Sequence, residues 1–217
     1  RFLGRFIDFF TLLIKARPSP GLKAAPSRVK APLVERAYQS REVTYFLQSP
    51  ETHSFDLYHD YTETRPGVGT YVNIVRPGSS ASKPSARNLD SGAPLRWEML
   101  KGEAILKASP GEKGVTADTE AVVFHFDPVK KGESARLRFS ETYTDPERYG
   151  VSGDELVWHR SFGRPLNTVV LPAGWVLTNS SIPATIKQTD DGRTRLEYIN
   201  PRADEIDVII TARRRPA

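Results

Sequence analysis

Cysteine is absent from this 217-residue chain, which excludes thiol catalysis, disulfides and thiolate metal sites. The absence leaves the compartment open, because an oxidising space permits disulfides without requiring them. Histidine is scarce. His53, His59, His125 and His159 are the only ones, and a histidine metal site needs two or three of them to converge. In SFDLYHDYTE, residues 54–63, period-2 alternation puts Phe55, Leu57, His59 and Tyr61 on one face and Asp56, Tyr58, Asp60 and Thr62 on the other. His59 is therefore expected to be a partly buried, hydrogen-bonded side chain, and Asp56 and Asp60 a solvated edge. No metal and no small-molecule cofactor are expected.

Catalytic signatures are missing as well. No G-x-S-x-G elbow occurs, and neither phosphate-loop pattern is present. The acids Glu141, Asp145, Glu147, Asp154 and Glu155 form no pair whose spacing enforces a glycosidase geometry. Their run, ETYTDPERYGVSGDE, reads as a strand leaving into an exposed turn stopped by Asp145-Pro146 and Gly153. No catalytic residue is assigned, and the chain is expected not to be an enzyme.

A net charge of +5 invites a nucleic-acid reading, which the distribution of charge removes. Residues 1–41 hold nine Lys/Arg against two acids, residues 42–212 nineteen against twenty-four, and Arg213, Arg214 and Arg215 add three more. The body is mildly acidic and its ends are basic. That pattern suits tethering to an anionic surface, with no nucleic-acid partner.

What the chain does have is an apolar opening, RFLGRFIDFFTLLIK. On a helix, Phe2, Leu3, Phe6, Ile7, Phe9, Phe10, Leu13 and Ile14 share one face, with Leu12 the one apolar residue off it. Fourteen residues reach only about 20 Å, short of a ~30 Å hydrocarbon core. Three readings fit: an interfacial helix, the end of a longer spanning helix, or a helix packed into protein. Phe2, Phe6, Phe9, Phe10 and Leu13 are the expected anchor, with Arg1, Arg5, Lys15, Arg17 and Lys23 as electrostatic support worth on the order of 1 kcal/mol each. The expected partner is a membrane surface or a membrane-embedded protein subunit. The expected location is membrane-associated and extracytoplasmic (periplasmic), although a completed upstream span would favour the cytoplasmic side.

Four prolines in residues 16–33 prevent helix and strand alike, so the organisation expected is an anchoring helix at 1–15, a basic Pro-rich linker at 16–33 and a β domain at 34–217. Strands are expected at residues 42–48, 54–62, 70–76, 120–127, 134–143, 155–160, 167–171, 193–199 and 205–212. Asp191-Gly192 between two strand-like runs predicts a tight hairpin. Residues 96–108 are the internal helix candidate, weakened by Gly102, and residues 78–87 read as a polar surface loop. Ile209 interrupts the alternation of the last strand, which suggests cover on both faces.

Short strands without intervening helices make an all-β protein, expected as a two-sheet antiparallel β-sandwich of eight to ten strands with Greek-key-like connections. The function that follows is a non-catalytic interaction or scaffold subunit attached through its N-terminal helix. The alternative is an extracytoplasmic carbohydrate-binding module stacking sugars on Trp97, Trp158, Trp175, Tyr143, Tyr149 and Tyr198, against the simpler expectation that Trp158 and Trp175 fill the core. A hydrolase with an unrecognised site is the third reading.

Overall fold

The computed structural model describes residues 41–202 and 204–215. The expected anchor residues Phe2, Phe6, Phe9, Phe10 and Leu13, and the supporting Arg1, Arg5, Lys15, Arg17 and Lys23, lie outside the described residues. Among the described residues no helix is long and apolar enough to cross a membrane.

In chain order the strands are β1 (Arg41–Leu47), β2 (Ser54–Glu63), β3 (Thr70–Val75), β4 (Ser80–Asn88), β5 (Arg96–Lys101), β6 (Glu120–His125), β7 (Ala135–Thr144), β8 (Tyr149–Ser152), β9 (Glu155–Phe162), β10 (Leu166–Val170), β11 (Trp175–Ser180), β12 (Thr185–Gln188), β13 (Thr194–Ile199) and β14 (Ile206–Arg214). One short helix, α1 (Glu103–Ala108), interrupts them. The all-β, sandwich-like architecture is present, carried by three sheets where two were expected. A seven-stranded sheet runs β12-β13-β10-β1-β2-β7-β4, a four-stranded sheet β11-β14-β9-β8, and a three-stranded sheet β3-β6-β5. Every pairing is antiparallel except β1 with β10.

Alternation explains how the layers meet. β1 and β7 bury every second residue, and β2 sends Phe55, Leu57, His59 and Tyr61 to one side. On that side Val43, Tyr45, Leu47, Phe55 and Leu57 pack with Leu156, Trp158, Phe162, Val208 and Ile210 of the four-stranded sheet. Further along the same strands Tyr61, Leu137 and Phe139 pack with Val122 and Phe124 of the three-stranded sheet. One face of the large sheet thus carries both smaller sheets, and two cores lie along β2 and β7. β6 is buried on both faces because α1 packs on its far side through the fully buried Ile105.

Several local expectations are corrected. Residues 78–87 contain the edge strand β4, polar because its side chains are mostly exposed and held by pairing with β7. A bulge between Ser82 and Ser85, with Lys83 at φ 51° and Pro84 beside it, blunts that edge. The helix candidate at 96–108 divides at Gly102, whose φ of 56° and ψ of −129° end β5 and start α1. Asp56 and Asp60 sit on an interior strand, where Asp60 takes two bonds of 2.6 Å from Arg138 and Asp56 accepts from Thr142 at 2.6 Å. Ile209 is 44% exposed, so its side of β14 is open to solvent.

Other expectations hold. β12 and β13 form the hairpin, with Gly192 at φ 81° and its N–H donating to the Thr189 carbonyl at 2.8 Å. The structure adds two further sets of contacts: the Asn200 side-chain amide donates to the carbonyls of Phe162 and Asp204, and the arginines near the C-terminus are engaged. The C-terminal arginines meet acids: Arg213 pairs with Glu155 at 3.0 Å and Arg214 with Glu51 at 2.8 Å.

Candidate functional site

Two residues break the apolar alternation on the inner face of the large sheet. On β2 the series is Phe55, Leu57, His59, Tyr61, and on β7 it is Leu137, Phe139, Glu141, Tyr143. The antiparallel register pairs His59 with Phe139 and Leu57 with Glu141, so the two polar residues are diagonal neighbours on one face. They stand where one core gives way to the other. Along this seam a cleft of about 470 Å³ opens, lined from the first core by Val43, Tyr45, Leu57 and Tyr143 and from the second by Tyr71, Phe124 and Phe139. That volume lies in the range of small-ligand pockets.

His59 and Glu141 are each only 5% exposed, yet His59 Nε2 and Glu141 Oε2 have no hydrogen-bond partner among the described residues. Native proteins rarely bury polar atoms unpaired, since each costs about 1–3 kcal/mol. His59 is buried where a partly buried, hydrogen-bonded ring was expected, and its Nε2 makes no hydrogen bond among the described residues. Its ring is held between Tyr71, Tyr61 and Phe139, with centroids 5.1, 6.0 and 6.0 Å away. Burial holds the imidazole well below its usual range, helped by Arg164 and Arg41, so it is neutral.

Glu141 Oε1 accepts from the side-chain amide of Asn73 on β3. Burial pushes its carboxyl from an ordinary 4.5 up to about 7, against the opposing pull of Arg160 and the Asn73 bond. The other buried glutamate behaves oppositely. For Glu63, the upward push of burial is outweighed by the Arg65 guanidinium at 2.7 Å, the Tyr61 hydroxyl and the Arg65 N–H, and its pKa is lowered.

Arginines line the rest of the cleft: Arg76 after β3, Arg148 before β8, Arg160 on β9 and Arg164 in the β9 to β10 connection. Arg160 lies over the Tyr143 ring at 4.7 Å and the Phe55 ring at 5.4 Å. Asp145 stands between Arg160 at 3.5 Å and Arg76 at 3.4 Å, with its carboxylate almost fully buried. Arg164 donates to the Tyr71 hydroxyl at 3.1 Å. The run at 141–155, expected as a strand leaving into an exposed turn, therefore holds two buried acids, Glu141 and Asp145. Sequence reasoning assigned no role to Glu141, Asn73 or Arg160. The signal for Glu141 was the one that flagged His59, a polar residue in an inward-facing register.

The aromatic platform does not assemble. Trp158, Trp175, Tyr143, Tyr149 and Tyr198 are buried in the core as the simpler expectation had it, and only Trp97 is exposed, at 41%. His125 pairs with Glu98 and His159 with Asp207, both away from His59. Among the described residues no three His, Cys, Asp or Glu side chains gather as a metal-binding group.

Glu141 makes stability pH-dependent. Its folded pKa is raised, so between pH 4.5 and 7 the native state holds a proton that the unfolded state has released, and stability falls as pH rises. His59 slopes the other way, because the unfolded chain gains a proton below 6.5 that the buried ring refuses. The wild-type protein alone therefore masks the effect, whereas comparison with Glu141→Gln isolates it. The stability of wild type relative to that variant is expected to fall by about 1.4 kcal/mol per pH unit between 4.5 and 7. Urea unfolding at a series of pH values measures it, and a flat difference would contradict a buried, proton-holding Glu141.

The fold and site define a three-sheet all-β protein with an arginine-lined cleft at the junction of two cores. No protein-family model matches the sequence, and no curated protein matches it. Among solved structures, the chain is similar to an M1 zinc metallopeptidase from Deinococcus radiodurans, at 13% identity and TM-score 0.46 over 80% of this chain and 41% of that one. A mutant of a two-domain M1 zinc metallopeptidase bound to L-tryptophan gives 14% and 0.45 over 80% and 41%. An aminopeptidase N family protein from Idiomarina loihiensis gives 8% and 0.44 over 79% and 29%. The chain thus spans well under half the length of these structures. All three are described as peptidase-family proteins, against the expectation of a non-catalytic scaffold subunit. No residue role is carried over from them.

Proposed function

We propose that this chain is a peptidase-related domain whose seam cleft binds a short stretch of peptide. The observation that carries the reading is the pair of buried, unpartnered polar atoms, His59 Nε2 and Glu141 Oε2, on two residues that line an arginine-rich cleft of about 470 Å³. A peptide supplies what such a space lacks: backbone N–H and C=O groups to meet the two atoms and a carboxylate to meet guanidinium groups. Tyr71 and Phe139, stacked at 4.7 Å, give it a flat apolar wall. Trialanine titrated into the protein, followed by NMR, is the test. Shifts confined to the ring signals of His59, Tyr71 and Tyr143 and to the Asn73 amide are expected. No shift at these positions up to tens of millimolar peptide sinks the reading.

A further inference from the structure

The cleft offers a bound molecule an uneven set of groups. Arg76, Arg148, Arg160 and Arg164 line it against two acids, Glu141 and Glu205. Arg160 meets Asp145 at 3.5 Å, looser than the ~2.7–2.9 Å of a charge-assisted bond at its best. Glu141 turns Oε1 to Asn73, and its Oε2 is buried and unpartnered on a residue that lines the cleft. A carboxyl oxygen in that position completes its bonding in one of two ways, by accepting from a donor or by carrying a hydrogen and donating it to an acceptor. Asp145 pairs with Arg160 and Arg76, and Glu147 with Arg76. Among the side chains that line the cleft, however, arginines outnumber acids four to two, which favours an anion as the incoming group, and an anion accepts.

Resting on the peptide-binding reading above, we infer that the cleft is a carboxylate site: the peptide's carboxylate lies against the Arg160 guanidinium and receives a hydrogen bond from the protonated Oε2 of Glu141. Two carboxyl groups so close hold one proton between them, because both cannot remain ionised at short range. Where Glu141 is ionised in the free protein, binding takes one proton from solvent onto its Oε2. No bond other than that O–H forms, and the ligand is unchanged. His59, whose Nε2 is also buried and unpartnered, lines the same cleft. The raised pKa of Glu141, about 7, agrees with this assignment and sets its range.

The titratable and charged groups that line the cleft with Glu141 come from every neighbouring element: Tyr45 from β1, His59 from β2, Tyr143 on its own strand, Tyr71 and Arg76 from β3 and its exit, Arg148 just before β8, Arg160 from β9, and Arg164 and Glu205 from the flanking connections. Burial keeps His59 neutral and raises the pKa of Tyr45, so the step near neutrality belongs to Glu141.

Calorimetry on the whole chain with trialanine, trialanine amide and Ala-Glu-Ala amide tests the inference. Trialanine is expected to bind at least tenfold more tightly than its amide. Its affinity should be nearly flat below pH 7 and fall about tenfold per pH unit above it. At pH 8, repetition in buffers of different ionisation enthalpy should show uptake of close to one proton. Glu141→Gln, which keeps shape and a donor, should bind trialanine with that uptake and pH slope abolished. Ala-Glu-Ala amide separates the two sources of the group: rescue assigns the site to an acidic side chain, and failure to bind assigns it to the chain's C-terminus. Equal binding of trialanine and its amide, or no proton uptake at pH 8, overturns the carboxylate site and leaves peptide binding standing. Absence of binding by all three peptides overturns both.

Discussion

Trp158→Ala is expected to lower the free energy of unfolding by about 3–5 kcal/mol, the range for deleting a large aromatic side chain from a core. Trp158 is fully buried on β9, between Tyr149 on β8 and Ile210 on β14. Its ring meets Tyr45 edge-on at 5.2 Å and Phe55 edge-on at 5.8 Å, so it joins the four-stranded sheet to the large one. Each such aromatic pair adds about 0.5–1.5 kcal/mol beyond area burial. Alanine leaves a void between two sheets held on several sides by paired strands, where collapse is limited. Urea unfolding measures the loss. Trp97→Ala is the matched control, because that ring is exposed at the edge of the three-stranded sheet; a loss of about 1 kcal/mol or less is expected. Equal losses in the two variants would contradict the placement of Trp158 in the core.

The second large effect is expected from Asp145→Asn. The carboxylate is buried between Arg76 and Arg160, and the backbone around it is committed too. Its N–H donates to the His53 carbonyl at 2.9 Å, and its own carbonyl accepts from Arg148 and Tyr149. Asparagine keeps the shape and removes the charge, leaving Arg160 over the Tyr143 and Phe55 rings without its acid. Breaking a fully buried pair costs about 3–5 kcal/mol. Both guanidinium groups reach some water here, and screening brings the expected loss to about 2–4 kcal/mol. Because the acid itself is buried, added salt should change this loss little. A loss under about 0.5 kcal/mol, or one erased by 1 M salt, would show that the pair is a surface contact.

Strands with both a pattern and a buried face were readable before any coordinates. β2, β7, β13 and β14 announce themselves through β-branched and aromatic residues at every second position between turn residues, and the structure places each within a few residues of its expected bounds. β4 was not readable, because SASKPSARN carries no apolar alternation and becomes a strand only through pairing with β7. RWEMLKGEAILKA misled because its apolar spacing suits helix and strand alike, and the backbone of one glycine decides between them. His59 in an apolar register was visible and was read as a core residue. Glu141 stood in the same kind of register on the expected strand at 134–143, but attention went to the exposed turn that Asp145-Pro146 and Gly153 signal after it.

Composition and alternation by themselves determined that this chain is β-rich, that its body carries little net charge, that its tryptophans at 158 and 175 go inside, and that thiol chemistry is closed to it. They could do so because burial of a period-2 face depends only on neighbours along the chain. Tertiary structure alone decided that the sheets number three, that two cores share one face of the largest, and that His59, Glu141 and four arginines meet at their junction. Those residues come from strands and loops up to about a hundred positions apart, from Arg164 to His59 and Asn73. Which of them face each other is set by strand order and register, and no local spacing encodes that.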